Sequence, residues 1–447
     1  MTETREVRLE ELRALLAGDD SAVDERLSEL HASDIADLIE GLEDEERLRL
    51  LRRLPPEIAA DALSEMEEVE NPAELLLQLD PGHIAAIVEE MADDDAADII
   101  GELEPQQQAE VLSTVSVPDA AQIEELLHYP EDTAGGIMTR DVLAIRSELT
   151  ASQAIAEIRR QAQGDIDFYT IFVVDPDQRL AGVVALQDLV ISDPDTPIAE
   201  LTEDPLAVVP VSMDQEEVGR ILSRYNIASI GVVDALGRLV GRVTFDDIID
   251  VFEAETTEDI LRFAAVSDEE RLRGSTGEAV RSRLPWLLVN LLTAVLAASV
   301  VWFFQDTIAG LVTLAVVMPI IAGMGGNAGT QALAVTIRRI ALADETLRSR
   351  WAVLGKELLV GLINGAVLGL VAALAGIVIE GRALFGLVVL MAMWGNLIVA
   401  CFAGAFIPIF LESVGVDPAV ASSVFVTTLT DLCGFFLLLG LATVMLT

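Results

Sequence analysis

Residues 284–447 contain five apolar segments, roughly 284–304, 308–337, 353–379, 383–411 and 420–446. Each reaches the about 20 residues that a helix needs to cross a bilayer. In lipid every backbone N–H and C=O must be satisfied within the protein, and a continuous apolar run meets that demand as a helix. Charge divides the chain at the same place. Of the net −46 over 447 residues, 284–447 carries −2 and the first 283 residues carry −44. The sequence therefore specifies two parts, a membrane half and a very acidic half outside the bilayer.

Arginine and lysine set the orientation. Arg281 and Arg283 precede the first segment, and Arg338, Arg339, Arg348, Arg350 and Lys356 cluster between the second and third. The first-to-second connection has no basic residue and the third-to-fourth has only Arg382. Positive-inside counting places the acidic half in the cytoplasm, the C-terminus outside, and the whole chain in the cytoplasmic membrane among its lipids. The N-terminal MTETREVRLEELR has no apolar core, so no signal peptide is expected. Both cysteines, Cys401 and Cys433, lie in apolar segments, which excludes a disulfide framework.

An acidic half has no basic face to neutralise phosphates, so nucleic-acid binding is excluded. It suits cation attraction; with Lys356 the only lysine, it also suits adaptation to a saline habitat, and the two readings are compatible. Residues 1–128 read as a run of short amphipathic helices, among them 35–42, 46–54, 56–63, 83–91 and 96–103. Pro55-Pro56, Asn71-Pro72 and Asp80-Pro81-Gly82 punctuate them. Units this short bury a face only by stacking, as in a small α-solenoid. A repeat follows. FVVDPDQRLAGVVALQDLV (172–190) returns as GVVDALGRLVGRVTFDDII (231–249), each reading strand, tight turn, strand, then a helix opening at Asp188 or Asp247. Residues 253–283 are charged and free of proline and read as a helix connecting this part to the membrane.

Asp431, in TTLTDLCG (427–434), is the sharpest single residue. A charge near mid-bilayer costs at least about 2.5–3.5 kcal/mol, so such acids usually line water or ion paths. Thr427, Thr428 and Thr430 add hydroxyl oxygens around it. In PIIAGMGGNAGTQALAV (319–335), Pro319 with Gly323, Gly325, Gly326 and Gly329 is expected to break or thin a helix. Freed carbonyls, with the Asn327 and Gln331 amides, would then supply hard oxygen ligands, the alternative being small-residue packing. Asn290, Asn364 and Asn396 also fall in spans, where a packing hydrogen bond is expected of each. An all-oxygen lining with one carboxylate suits a hard divalent cation that keeps much of its water; the residues alone do not choose between Mg²⁺, Co²⁺ and Mn²⁺. No phosphate-cradling GxxxxGK[ST] and no nucleophile–base arrangement occurs, and His31, His83 and His128 are dispersed, so an enzyme is not expected. The reading from another class is a membrane-anchored cation or nucleotide sensor that transports nothing.

The order of acidic helices, β-α-β-β-α pair, connecting helix and five spans resembles the MgtE-type magnesium transporters over essentially the whole chain. GMGGNAGTQ (323–331), DPAVASSVFVTTLTDLCG (417–434), YPEDTAGGIMT (129–139), MDQEEV (213–218) and EAETTEDI (253–260) carry the resemblance. It implies a multidomain protein: an all-α superhelical N domain (1–128), an α/β tandem CBS domain (129–252), a connecting or plug helix (253–283) and an α-helical pore domain of five spans (284–447). It implies a homodimeric Mg²⁺ channel that its cytoplasmic domains close when intracellular Mg²⁺ is high. Asp431 is similar to the family's pore aspartate, with Thr427 and Asn327 as lining. The regulatory Mg²⁺ positions correspond to Asp94, Asp98, Asp214, Glu216, Asp247, Asp250, Glu255, Glu258 and Asp259. Asp94/Asp98 and Glu255/Asp259 are i,i+4 pairs expected on one helical face each, where a divalent ion turns repulsion into a bridge. ATP is a candidate ligand through Asp188, although Tyr169-Thr170 and Gln187 lack the tyrosine and arginine with which some members hold it. Asn226 stands where the family has an aspartate, and Ser423-Val424 where Gly-Pro or Asn-Pro is usual.

Overall fold

A computed structural model describes residues 30–66, 71–161, 170–266, 276–341, 350–418 and 422–446. Residues 1–29 of the helical run, Tyr169, Arg348 and residues 267–275 of the connecting segment lie outside the described residues. The chain divides into two compact units, Met1–Glu255 and Thr256–Thr447.

Among the described residues the first unit begins with eight short helices: α1 (Ala32–Glu40), α2 (Asp44–Leu51), α3 (Pro56–Ser64), α4 (Pro72–Leu77), α5 (Pro81–Glu90), α6 (Asp93–Gly101), α7 (Pro105–Leu112) and α8 (Val117–Leu126). Their starts are written in the sequence. Proline stands in the first turn of α3, α4, α5, α7 and α8, where its missing N–H has no intrahelical partner to lose. Asn71 and Asp80 accept from the Glu74 and His83 N–H groups, and Glu43/Glu46 and Glu104/Gln107 form capping boxes.

Two three-stranded sheets follow, built alike. β1 (Ala144–Arg146) pairs parallel with β2 (Ile171–Val174), which pairs antiparallel with β3 (Leu180–Val184). β4 (Val208–Pro210), β5 (Ser229–Val233) and β6 (Leu239–Thr244) repeat that order. Helices α9 (Ala151–Gln161), α10 (Leu186–Ile191), α11 (Ile198–Leu201) and α12 (Gln215–Tyr225) lie between the strands in sequence. The turns match residue for residue. Asp175 accepts from the Asp177 and Arg179 N–H groups, and Asp234 from those of Leu236 and Arg238. The next turn position has positive φ in both copies, +63° at Gln178 and +77° at Gly237. The two turns also pair with each other, Leu180 N–H to the Gly237 carbonyl and Leu239 N–H to that of Gln178.

The helical run and the second sheet share one apolar core, which includes Leu63, Ile100, Val232 and Ile248, whereas the first sheet has its own around Ile145, Ile171 and Val173. YPEDTAGGIMT ties the first pair together. Gly135 N–H and Ala134 N–H donate to Val211 and Met213 carbonyls, and a methyl at Gly135 would lie 2.7 Å from the Tyr129 ring.

Helix α13 (Phe245–Phe263) starts at the end of β6 and stops before Ala265, which has φ +56°. The connecting helix expected over 253–283 thus begins earlier, as part of the second repeat, and ends sooner. The next helix, α14 (Thr276–Phe303), already runs into the first span. The membrane part continues with α15 (Gln305–Gly310), α16 (Thr313–Ala341), α17 (Arg350–Glu380), α18 (Ala383–Ser413) and α19 (Ser422–Met445). Among the described residues, five helices are long and apolar enough to span: Ala279–Phe303, Thr313–Ile340, Trp351–Glu380, Ala383–Ser413 and Ser423–Met445. The second starts later than expected because 305–310 forms a separate short helix, with an extended Leu311 (φ −146°, ψ 81°) between.

A second correction concerns PIIAGMGGNAGTQ. The helix α16 runs unbroken through Pro319 and all four glycines. The glycines do not free carbonyls; they let helices approach. A methyl on Gly325 would collide with Asn396 of α18, one on Gly329 would lie 2.5 Å from Val426 of α19, and Gly404 of α18 packs directly on the Gly329 carbonyl. On α17 a similar stripe, Gly361, Gly365 and Gly369, meets α18 at Leu397, Trp394 and Leu390. Small residues at such contacts are what helix association in lipid selects.

Candidate functional site: an ion path and an acidic cluster

In the second unit, α19 turns two faces to different surroundings. Val426, Thr430, Gly434 and Leu438 are buried. Asp431 and Thr427 are half-buried, and Asp431 opens, with Phe435, into a cavity of about 580 Å³ walled by Ala294, Ala297 and Val301 of α14 and by Gln305. Among the described residues nothing hydrogen-bonds or ion-pairs with the Asp431 carboxylate. The other buried acid here, Glu357 (6 % exposed), does not line the cavity.

The threonine hydroxyls all donate to their own helix: Thr427 to Ser423 and Val424 carbonyls, Thr428 to Val424, and Thr430 to Thr427. Their oxygens keep lone pairs, but Thr430 is 0 % exposed and out of an ion's reach; Thr428 and Thr427 are both half-buried, and Thr427 is the one that faces α16. Opposite it on α16, Gly326 faces Thr427, with 3.9 Å between a methyl placed there and the Thr427 methyl. Asn327, Gly323 and Gln331 lie on the exposed side of α16. The glycine motif therefore serves two purposes: Gly325 and Gly329 pack, while Gly323 and Asn327 stay accessible. Spacing alone did not separate them; the buried partners on α18 and α19 do.

Arg262 on α13 ion-pairs with Glu258 one turn earlier and, at 2.5 Å, with Asp417 in the turn between α18 and α19. Glu258 thus has a cationic partner within the protein, and Arg262 is a residue that sequence reasoning passed over. Asp259 is exposed.

In the first unit, carboxylates from α3, α6 and α13 gather where the helical run meets the second sheet. Asp94 is 8 % exposed and its Oδ1 has no partner. Burial, with Asp95, Asp247 and Asp93 nearby, pushes its carboxyl well above the usual range. Burial and the Asp247, Glu65 and Asp250 charges push Asp95 up to about 6. Asp247 and Asp250 are raised for the same reason, desolvation first. Asp93 holds the linker, accepting from Thr139 Oγ1 at 2.8 Å and Arg140 N–H at 3.2 Å. Arg242, 7 % exposed, offsets part of this charge beside Asp247. Asp93, Asp95, Glu65 and Arg242 were missed in the sequence; the DDD run (93–95) was the available signal. Asp98, expected on the face of Asp94, is exposed whereas Asp94 is buried, because successive turns of α6 rotate it off the buried stripe.

The remaining expected ligands have structural uses. Asp214 caps α12, accepting from Glu216 and Glu217 N–H groups, and Glu216 pairs with Arg220 at 3.8 Å. Gln215 donates to Glu255 at 2.8 Å. Asn226 ends α12 in a left-handed conformation (φ 51°), which Asn adopts readily. Asp247 accepts from the Thr244 N–H and hydroxyl; its repeat counterpart Asp188 follows Ala185 instead and lacks that tie. Among the described residues no three His, Cys, Asp or Glu side chains already converge as a metal site.

Among the described residues, five helices long and apolar enough to span, a carboxylate without a partner in the last of them, and an acidic unit built on a CBS-like repeat point to a multi-pass membrane transporter with an attached acidic part. The divalent cation transporter family MgtE matches residues 318–441, its intracellular N domain 30–132, and CBS domains 134–195 and 198–254. The magnesium transporter MgtE of Thermus thermophilus is 36% identical over 100% of this chain and 99% of its own, and that of Enterococcus faecalis 37% over 92% and 91%. The solved cytosolic domain of the Mg²⁺ channel MgtE in complex with ATP is 38% identical at TM-score 0.51, covering 54% of this chain and 97% of its own. This chain belongs to the MgtE family of magnesium transporters, and it is not an enzyme.

Proposed function

We propose that this protein is a Mg²⁺ channel of the cytoplasmic membrane that works as a homodimer and closes when intracellular Mg²⁺ binds its acidic unit. In this reading 1–128 and 129–252 sense the ion, 253–283 transmits, and 284–447 conducts. The observation that carries it is Asp431: a carboxylate without a partner among the described residues, in a helix long and apolar enough to span, open to a cavity. Two copies, each with Thr427 and Asn327 beside the path, would hold a hydrated Mg²⁺ between them. The membrane potential supplies about 2.3 kcal/mol per charge per 100 mV, roughly 4.6 for a divalent ion, so uptake requires no ATP hydrolysis. With its N-terminal half in the cytoplasm, the channel meets internal Mg²⁺ at Asp94, Asp247 and Asp250, with Asp98, Asp214, Glu216, Glu255, Glu258 and Asp259 as further ligands. Asp188, free of the tie that holds Asp247, is the nucleotide contact if ATP binds the CBS pair.

The test is Mg²⁺ influx into liposomes, with Co²⁺ and Mn²⁺ as competitors. Saturable Mg²⁺ influx that falls as luminal Mg²⁺ on the cytoplasmic side rises supports the reading. A preference for Co²⁺ or Mn²⁺ overturns the ion assignment, and insensitivity to Mg²⁺ on that side overturns the gating.

A further inference from the structure

Asn396 is a polar side chain that conduction through Asp431 does not explain. It lies in α18, is 0 % exposed, and its Nδ2 donates to the Ile321 carbonyl of α16 at 3.0 Å. A carbonyl only accepts, so the amide nitrogen faces it and Oδ1 points elsewhere, without a partner. An unsatisfied amide oxygen in such a place is costly, and a leucine would fill the space without it. What the amide adds is a directional bond between two helices. Two glycines make room for it. A methyl on Gly325 of α16 would collide with Nδ2, and one on Gly434 of α19 would lie 2.8 Å from it. One side chain therefore touches three helices, three residues from Asp431 on one and two from Asn327 on another.

We propose that Asn396 is a positioning residue of the ion path: its amide sets the spacing and register of α16 against α19, and so the separation of the Asn327 and Thr427–Asp431 faces. A hydrated ion is held only if that separation matches its shell. The inference rests on the pore reading above. Groups that orient a metal ligand change metal affinity by about 10–100-fold when removed.

The experiment compares half-saturating Mg²⁺, maximal influx and Mg²⁺/Co²⁺ preference in liposomes, each normalised to folded protein. Asn396→Leu keeps the branching at Cγ, in a somewhat larger side chain, and removes the donor; half-saturating Mg²⁺ is expected to rise by about tenfold or more and the preference for Mg²⁺ to fall. Gly434→Ala is expected to do the same by pushing on Nδ2. In the Asn396→Ala background the added methyl has room, so the two changes should be less than additive. Unchanged half-saturation and preference in Asn396→Leu, or strict additivity of Gly434→Ala with Asn396→Ala, would overturn the proposal. If Asn396→Leu does not fold, the additivity of the other pair decides alone. Asp431→Ala is run beside them: wild-type influx in that variant defeats the pore reading itself, whereas silent Asn396 and Gly434 variants beside an inactive Asp431→Ala defeat only this inference.

Discussion

At the scale of single residues, two kinds of carboxylate environment distinguish the two units. Asp431 opens to a cavity, and among the described residues nothing hydrogen-bonds or ion-pairs with it. Asp431→Asn, which keeps the shape and removes the charge, should abolish high-affinity Mg²⁺ binding in the membrane unit while leaving the thermal unfolding midpoint unchanged; calorimetric titration and a melting scan check both halves. Asp94 and Asp95 are crowded instead. Their folded-state pKa values lie above the unfolded ones, so the folded chain holds more protons, and stability falls as pH rises through the window from about 4 to beyond 6. Without divalent ions, the thermal midpoint of the first unit should therefore be higher near pH 5 than near pH 7.5. Mg²⁺ should raise it most at the higher pH, and Asp95→Asn should remove part of both effects. A midpoint that rises steadily with pH in the absence of Mg²⁺ would contradict this account of the cluster.

Elements show where sequence reading succeeds and where it stops. Helix starts in the first unit were legible because proline and capping residues act locally, through the first turn. The repeat was legible to the level of its turn, since Asp175 and Asp234 perform the same capping 59 residues apart. Helix α16 was not. Pro319 and four glycines read locally as a break, but their effect depends on Asn396, Val426 and Gly404, which other helices bring to them. Gly329→Leu should accordingly cost about 1–3 kcal/mol by overpacking, while Gly355→Leu on α17, with open space around it, should be near neutral; melting in detergent checks the pair. Arg262 was likewise invisible, because Asp417, its partner, is 155 residues away. If this pair holds α13 to the turn before α19, Arg262→Gln should raise the Mg²⁺ needed for half-inhibition. A partly exposed ion pair contributes about 0.2–1 kcal/mol, which corresponds to a shift of at most about fivefold. A shift in the opposite direction in flux assays would mean that Arg262 restrains closure instead.

For the molecule as a whole, the five spans and the acidic half followed from composition, because lipid and water impose opposite demands on a chain. Which acids meet did not follow. Asp247 and Asp95 lie 152 positions apart, and only the shared core of the helical run and the second sheet brings them together. If that meeting point takes up Mg²⁺, the cytoplasmic half should become more resistant to limited proteolysis as Mg²⁺ rises; unchanged cleavage would assign its acidity to salt adaptation. Conduction and sensing then converge in one measurement, Mg²⁺ influx into liposomes driven by a set potential, for wild type and Asp431→Ala, at low and at high Mg²⁺ on the cytoplasmic side. The account predicts saturable influx in wild type at low cytoplasmic Mg²⁺, suppression at high, and none in Asp431→Ala under either condition. Influx through Asp431→Ala equal to wild type would contradict it.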